Sequence, residues 1–307
     1  MPSKMRFGKD HEVDDDRPSI LIMGIGGAGR NIVEGIGDIA SKNVKIYEVG
    51  TSSRPPKLPH ISISKEDIKS AYHSEIRMDE RPLSRSEKKL EDKIKSFDIV
   101  YLIGGLGGRT GSWTIPVCGE ICEKNSSFAF GFLAKPFDTE SESRKKLSEE
   151  AQKEALKFLD SAAIFSNSKL LEINPHLPIK KAFDVMNRII RIPLVDLNSV
   201  VTGSDIPDLK KFCDDVKEFR IGAGYGSGRK KGLKAAKEAL RSSWLEDTKE
   251  YKKLMVIVSS SDGEKDMIVE DALEEIEKEC SRADIIWGLR EDADLGERTR
   301  VTLLGGK

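Results

Sequence analysis

The run "DIVYLIGG" (98–105) constrains the fold more than any other stretch. It is apolar at consecutive positions rather than alternate ones, so both its faces are buried, and it ends in glycines. Strands covered on both faces belong to parallel sheets flanked by helices. The same pattern recurs in "SILIMG" (19–24), "VKIYEVG" (44–50), "FAFGFLAK" (128–135) and "SAAIFSN" (161–167). Between these runs lie stretches of helical spacing: 30–40, 85–97, a segment from about Pro116, and 143–159. Alternation of this kind predicts an α/β, doubly wound parallel sheet, with ligands at the carboxyl ends of strands, where both glycine runs fall. Residues 51–80, with "SSRPPKLPH", read as a long Pro-rich connection holding only short structure. "IKKAFDVMNRIIRIPLVDLNSVV" (179–201) predicts one long central helix with a kink at Pro193. Beyond it the rhythm changes to a smaller α+β domain, with strands near 219–228, 253–261, 283–292 and 298–306 and helices at 232–245 and 269–280. The expected organisation is a disordered tail over 1–17, the doubly wound α/β domain over 18–177, a central helix over 178–201 and a second domain over 202–307.

Composition excludes several function classes. With 307 residues the chain can bury two cores. A formal net charge of −1 gives no bulk basic field toward nucleic acid or anionic membrane. The longest apolar runs, such as 128–134, are too short for a bilayer, and the N-terminus lacks an apolar signal core. A cytoplasmic protein without direct membrane insertion or a nucleic-acid partner is expected. Cys118, Cys122, Cys213 and Cys280 fit reduced thiols, with the Cys118/Cys122 pair read as helix packing. His11, His60, His73 and His176 are scattered, and no metal site is expected.

"GIGGAGRN" (24–31) holds Gly-x-Gly-x-x-Gly between a strand and a helix. Read alone it fits a tight turn, or a Rossmann-type NAD oxidoreductase with Glu48 on the ribose. The second run, "GGLGGRTGSW" (104–113), has the glycines of an anion-gripping loop but carries Arg109 and Trp113 inside it. Amides that crowd a phosphate favour glycine, because a side chain would stand between amide and ligand.

Read with its flanks, "DIVYLIGGLGGRTGSWTIP" (98–116) resembles the FtsZ/tubulin family's Gly-Gly-Gly-Thr-Gly-Ser/Thr-Gly loop. Gly107, Gly108, Thr110, Gly111, Ser112 and Pro116 hold that pattern; Arg109 and Trp113 replace two of its glycines. The resemblance extends from about residue 19 to 304. "GIGGAGRN" resembles the family's first phosphate loop, placing Gly26, Gly27, Ala28 and Asn31. "KPFDTESESR" (135–144) resembles its ribose loop through Glu140 and Arg144, and "SNSKLL" (166–171) places Asn167. "KAFDVMN" (181–187) resembles the central helix, with Phe183 where the family stacks a base. "GSDIPDL" (203–209) resembles the loop with which one subunit completes its neighbour's active site. The resemblance, closer to FtsZ than to tubulin, implies a divergent FtsZ-like protein that binds GTP or GDP, with Mg2+ as the candidate ion. It implies head-to-tail self-assembly, with Asp205 and Asp208 orienting water on a neighbour's γ-phosphate. Their spacing also suits one face of a helical turn, and "SDIPDL" equally reads as a helix start with Ser204 or Asp205 as cap.

The departures cluster on the nucleotide. Where the family has Asn-Thr-Asp, the sequence reads Gly50-Thr51-Ser52. The γ-phosphate loop has no counterpart between Ser52 and Asp98, where "SEIRMDERPLSR" (74–85) stands instead. The family's base-reading Asp falls at Arg188, which can only donate hydrogen bonds. These changes lead to an expectation of slow or absent hydrolysis, with Arg109 supplying positive charge at the phosphates and Trp113 packing into the fold. The alternative is a nucleotide-independent assembly partner or cap of a true FtsZ. The sequence ends at "RVTLLGGK", so the family's adaptor-recruiting terminal peptide is not expected.

Overall fold

A computed structural model describes residues 3–7, 17–36, 42–51, 55–261 and 265–307. Ser52 of the altered Asn-Thr-Asp site, and 37–40 of the first expected helix, lie outside them. The elements in chain order are β1 (Lys4–Arg6), β2 (Ile20–Ile25), α1 (Gly26–Val33), β3 (Val44–Gly50), β4 (His60–Ser62), α2 (Lys65–Tyr72) and α3 (Arg85–Ile94). There follow β5 (Ile99–Gly105), α4 (Arg109–Lys124), β6 (Phe128–Lys135), α5 (Glu142–Phe158), β7 (Ser161–Ser166), α6 (Asn167–Ile173) and α7 (Ile179–Val200). The last are α8 (Ile206–Cys213), β8 (Glu218–Gly226), α9 (Lys231–Leu240), β9 (Lys253–Ser260), α10 (Lys265–Glu279), β10 (Asp284–Glu291) and β11 (Thr299–Gly306). They form two compact units, one spanning 18–191 and the other 192–307 together with β1. The division falls within α7, which runs unbroken through Pro193.

In the 18–191 unit six parallel strands take the order β4-β3-β2-β5-β6-β7. β2 and β5 are buried at almost every position, as continuous apolar runs require. The chain builds outward from β2 through β3 to β4, then returns to the other side of β2 with β5. The order therefore reverses between β2 and β5, and an open α/β sheet offers its ligand crevice at such a point. The segment 74–85 is drawn into this unit's helical layer. Met78 is buried, and its amide donates to Glu120 Oε1 at 2.9 Å. Ser84 and Glu87 form a reciprocal cap on α3, and Arg81 reaches the Glu87 carboxylate at 2.6 Å. Burial raises the Glu87 pKa, but the bonds from Arg81 and Ser84 outweigh it and hold the group below its ordinary value. A depressed folded pKa contributes stability above the unfolded pKa and loses it as pH falls through the folded value. Wild type should therefore lose more stability on acidification below about pH 4 than Glu87→Gln, as followed by urea denaturation. Equal losses would show that the carboxylate adds nothing.

The 192–307 unit is a mixed sheet in which β1, β10 and β9 pair in parallel, and β11 is antiparallel to both β9 and β8. Its core sets α9 and α10 against the strands through Ala235, Ala239, Ala272 and Ile276. The expected tail over 1–17 thus contains a strand. Lys4–Arg6 has little sequence signal of its own, and forms by pairing with the free edge of β10. Phe7 is buried beside it, and 8–16 lie outside the described residues. No helix among the described residues is long and apolar enough to cross a membrane. No cluster there could hold a metal ion, and the four cysteines are buried free thiols.

Candidate functional site

The two glycine runs leave β2 and β5, which are hydrogen-bonded neighbours from Ile20↔Ile99 to Ile25↔Gly104. Their ends are therefore adjacent, and the loops that follow touch. A methyl on Gly26 would lie 3.4 Å from the Gly111 amide nitrogen and 3.5 Å from Thr110 Cβ. Ala28 Cβ approaches Gly105, where an added methyl would stand 2.9 Å away. Two positions demand glycine by conformation, Gly26 at φ +69° and Gly107 at φ +87°. At Gly27 and Gly108, by contrast, a side chain would meet nothing within 4 Å. Each loop thus presents open backbone at one glycine and close packing at the others.

Both helices begin earlier than the sequence suggested: α1 at Gly26 rather than Arg30, and α4 at Arg109 rather than Pro116. The glycines read as loop are helical because close packing demands them. A methyl on Gly29 would overlap the Ile103 carbonyl oxygen, and one on Gly111 would overlap that of Gly105. Arg109 is exposed in the first turn of α4, where φ is negative, so an arginine costs nothing conformationally. Ser112 is buried, and its hydroxyl accepts from the Gly107 amide at 2.8 Å. Trp113 packs into the core against Tyr72 and His73, with ring centroids 6.4 and 6.0 Å away. Neither α1 nor α4 has a side-chain N-cap or an acidic residue in its first turn. Among the described residues, no side-chain cap or first-turn carboxylate therefore offsets their leading N–H groups and positive dipole ends.

The next two strands extend the row. Gly105 pairs with Ala134 of β6, the loop beyond β6 carries Glu140, and Arg144 lies in the first turn of α5. Glu140 accepts from the Phe137 amide at 2.9 Å and pairs with Arg144 at 2.8 Å. The Arg144 carbonyl packs against Gly107, so the start of α5 meets the second glycine run. β6 pairs with β7, after which Asn167 opens α6. Asn167 is 5% exposed, and its Oδ1 has no hydrogen-bond partner among the described residues. Phe183 of α7 is exposed and stands edge-on to Phe137 at 5.2 Å. Asn31 is exposed at the far end of α1; its carbonyl and that of Ile32 accept from the Arg191 guanidinium at 2.6 and 2.8 Å. Burial, then the like charge of Arg188, lowers the Arg191 pKa. Arg188 itself is exposed on the same helix.

Other expected roles change. Glu48 is fully buried and ion-paired with Arg30, its Oε2 2.8 Å from Nε, so it is not available for a ribose and the Rossmann alternative loses its acidic residue. Asp205 and Asp208 belong to the 192–307 unit. Asp205 ends a 3-10 turn and stands in right-handed helical backbone just ahead of α8, and Asp208 is exposed in the helix's first turn. Asp205 caps backward, its Oδ2 accepting from both Thr202 N and Thr202 Oγ1 at 2.7 Å. The spacing Thr-x-x-Asp signals that box in the sequence. The anchors Arg191, Arg30 and Glu48 had no local signal, because their partners are set by tertiary packing. A cleft of about 500 Å³ lies elsewhere, lined by Tyr72, Ile76, Arg77, Pro116, Glu120 and Phe158.

The description "Tubulin/FtsZ family, GTPase domain" matches residues 59–175, which include the second glycine run, the Glu140 loop and Asn167. Cell division protein FtsZ 1 of Pyrococcus woesei is 28% identical over 306 residues, 95% of this chain and 83% of that protein. Over 59–175 this chain thus matches the Tubulin/FtsZ family, and it is FtsZ-like over most of its length. Among solved structures, an empty FtsZ dimer of M. jannaschii superposes with a TM-score of 0.83 at 22% identity, over 96% of this chain and 89% of that one. A GTPγS-bound CetZ2 protofilament of Haloferax volcanii gives 0.71 at 14% identity, over 94% and 93%. The FtsZ-like architecture thus covers both units, and the chain departs from its relatives in side chains more than in fold.

Proposed function

We propose that this chain is an FtsZ-like cytoskeletal protein that binds GTP or GDP across the two glycine loops, self-assembles head-to-tail and hydrolyses GTP slowly or not at all. The observation carrying this reading is the convergence of two uncapped helix N-termini at adjacent strand ends, with open backbone at Gly27 and Gly108. Such a pair suits a polyphosphate, which takes backbone N–H donors and the dipole together. Arg109, exposed in the first turn of α4, adds a charge that can hold two phosphate oxygens at once. Glu140 would take ribose hydroxyls, Phe183 would stack the base, and the unpaired Asn167 oxygen would accept a base donor. No carboxylate lies in either first turn, so Mg2+ would be held mainly by the phosphates. The segment 74–85 is anchored at Glu120, eleven residues and about 16 Å along α4 from Arg109. That distance from the phosphate end supports weak hold on a γ-phosphate.

Gly108→Val tests the site cleanly, because the side chain meets open space and φ is −94°. Thermal unfolding should be nearly unchanged. Nucleotide Kd in titration calorimetry should rise about a hundredfold or more, some 3 kcal/mol of the roughly 8 in a micromolar complex. Unchanged affinity would remove the loop from the site.

Assembly is supported by Ile173, Ile179 and Phe183, three exposed large apolar side chains within eleven residues beside the loop row. If Asp208 completes a neighbour's site, GTPase activity per molecule should climb with protein concentration and disappear in Asp208→Ala. A specific activity independent of concentration would reject completion in trans. The Asp205–Thr202 cap favours a second reading, in which assembly proceeds without nucleotide, alone or with a true FtsZ. Mass spectrometry of small molecules released on denaturation separates the two: a released guanine nucleotide supports the first, an empty protein the second.

A further inference from the structure

We infer that one end of the 192–307 unit is a contact surface for anionic lipid. Four cations, Arg229, Lys230, Lys231 and Lys234, fall within six residues where β8 turns into α9, with no acidic residue among them. Arg229, Lys230 and Lys234 are exposed. Lys231 Nζ reaches the Glu297 carbonyl at 3.3 Å, which brings the turn before β11 alongside, and Arg298 of that turn lies 5.6 Å above the Tyr225 ring. The first turn of α10 abuts the same tip, for a methyl on Gly232 would overlap the Ile268 carbonyl oxygen. It presents Met267, the most exposed large apolar side chain among those described at 62%, while Tyr225 is 37% exposed.

Cations around exposed Met and Tyr match the chemistry of a bilayer interface. Ammonium and guanidinium heads pair with lipid phosphates, while the apolar groups enter the headgroup layer. The distribution of charge selects this partner over a nucleic acid. Exposed Asp266, Asp294 and Glu297 flank the basic loop, so the positive region is a point rather than the stripe a duplex backbone needs. A lipid surface needs only such a cluster. The chain's net charge of −1 offers no general attraction, so adsorption would orient the molecule by this end.

The test is flotation of the nucleotide-free full chain with vesicles of phosphatidylcholine plus phosphatidylglycerol, and with phosphatidylcholine alone. Binding should require the anionic lipid and weaken with salt. At roughly fivefold per cation, Arg229→Gln, Lys230→Gln and Lys234→Gln combined should lower the partition coefficient about a hundredfold. Met267→Ser should lower it severalfold without altering the salt dependence. Both are surface changes, and a retained circular-dichroism melt confirms the fold. Partitioning that is absent, equal on both vesicles or unchanged in the triple variant overturns the inference. So does binding to duplex DNA, but not to vesicles, that the triple variant abolishes.

Discussion

Asp196→Ala is expected to destabilise the 192–307 unit by roughly 3–5 kcal/mol, the cost of stranding buried charge. Asp196 is wholly buried, and accepts from Arg290 at 2.6 Å, Arg300 at 2.5 Å and the Thr302 hydroxyl at 2.7 Å. Burial lowers the Arg300 pKa, but attraction and hydrogen bonding to Asp196 outweigh it and hold the guanidinium above its ordinary value. Removing the carboxylate leaves two guanidinium groups with Asp292, 3.3 Å from each, as their remaining ion-pair partner among the described residues. Because β10, β11 and α7 all supply partners, the loss loosens three elements at once. Guanidinium denaturation followed at Trp244 and Trp287 reads this unit, whereas Trp113 reads the other. A shift below about 1 kcal/mol would mean that solvent or neighbouring carboxylates replace the lost charge.

Gly29→Ala should cost less stability than Asp196→Ala, but should abolish nucleotide binding. The new methyl would overlap the Ile103 carbonyl of β5, a backbone atom in the middle of the sheet that cannot yield. α1 must therefore move, at a cost of about 1–3 kcal/mol for overpacking, and carries Gly26 and Gly27 out of line with the second loop. Gly27→Ala is the control. Its methyl points into open space, and alanine favours a helix over glycine by about 1 kcal/mol, so stability should hold or rise. Calorimetric titration beside thermal melts distinguishes the two. Nucleotide binding that persists in Gly29→Ala would detach the position of α1 from the site.

How much was legible in the sequence depended on the range of the interaction. Continuous apolar strands ending in glycine marked the parallel sheet, because burial on both faces is written into consecutive residues. Gly26 and Gly107 were legible for a similar reason: a positive φ is a local demand. Helix starts were not, since Gly29 and Gly111 are there to let a backbone approach, which only the packed fold reveals. Trp113 could be called core only by supposition; Tyr72 and His73, forty residues earlier, make it so. Glu48 looked like a ribose ligand by spacing, but it is spent on Arg30. Asp205 carried two signatures at once, a family loop and a Thr202 cap, and the cap accounts for its Oδ2 contacts.

The three-residue strand at Lys4–Arg6 has a practical consequence for handling the protein. It occupies the outer hydrogen-bonding row of β10, with Ser3 O accepting from Ile285 and the Phe7 amide donating to Trp287 O. A protease nick just after Phe7 would bare that row, and two clipped molecules could then zip together edge to edge. Affinity tags are therefore better fused at the other terminus, and a preparation that slowly turns cloudy should first be checked for an intact first heptad.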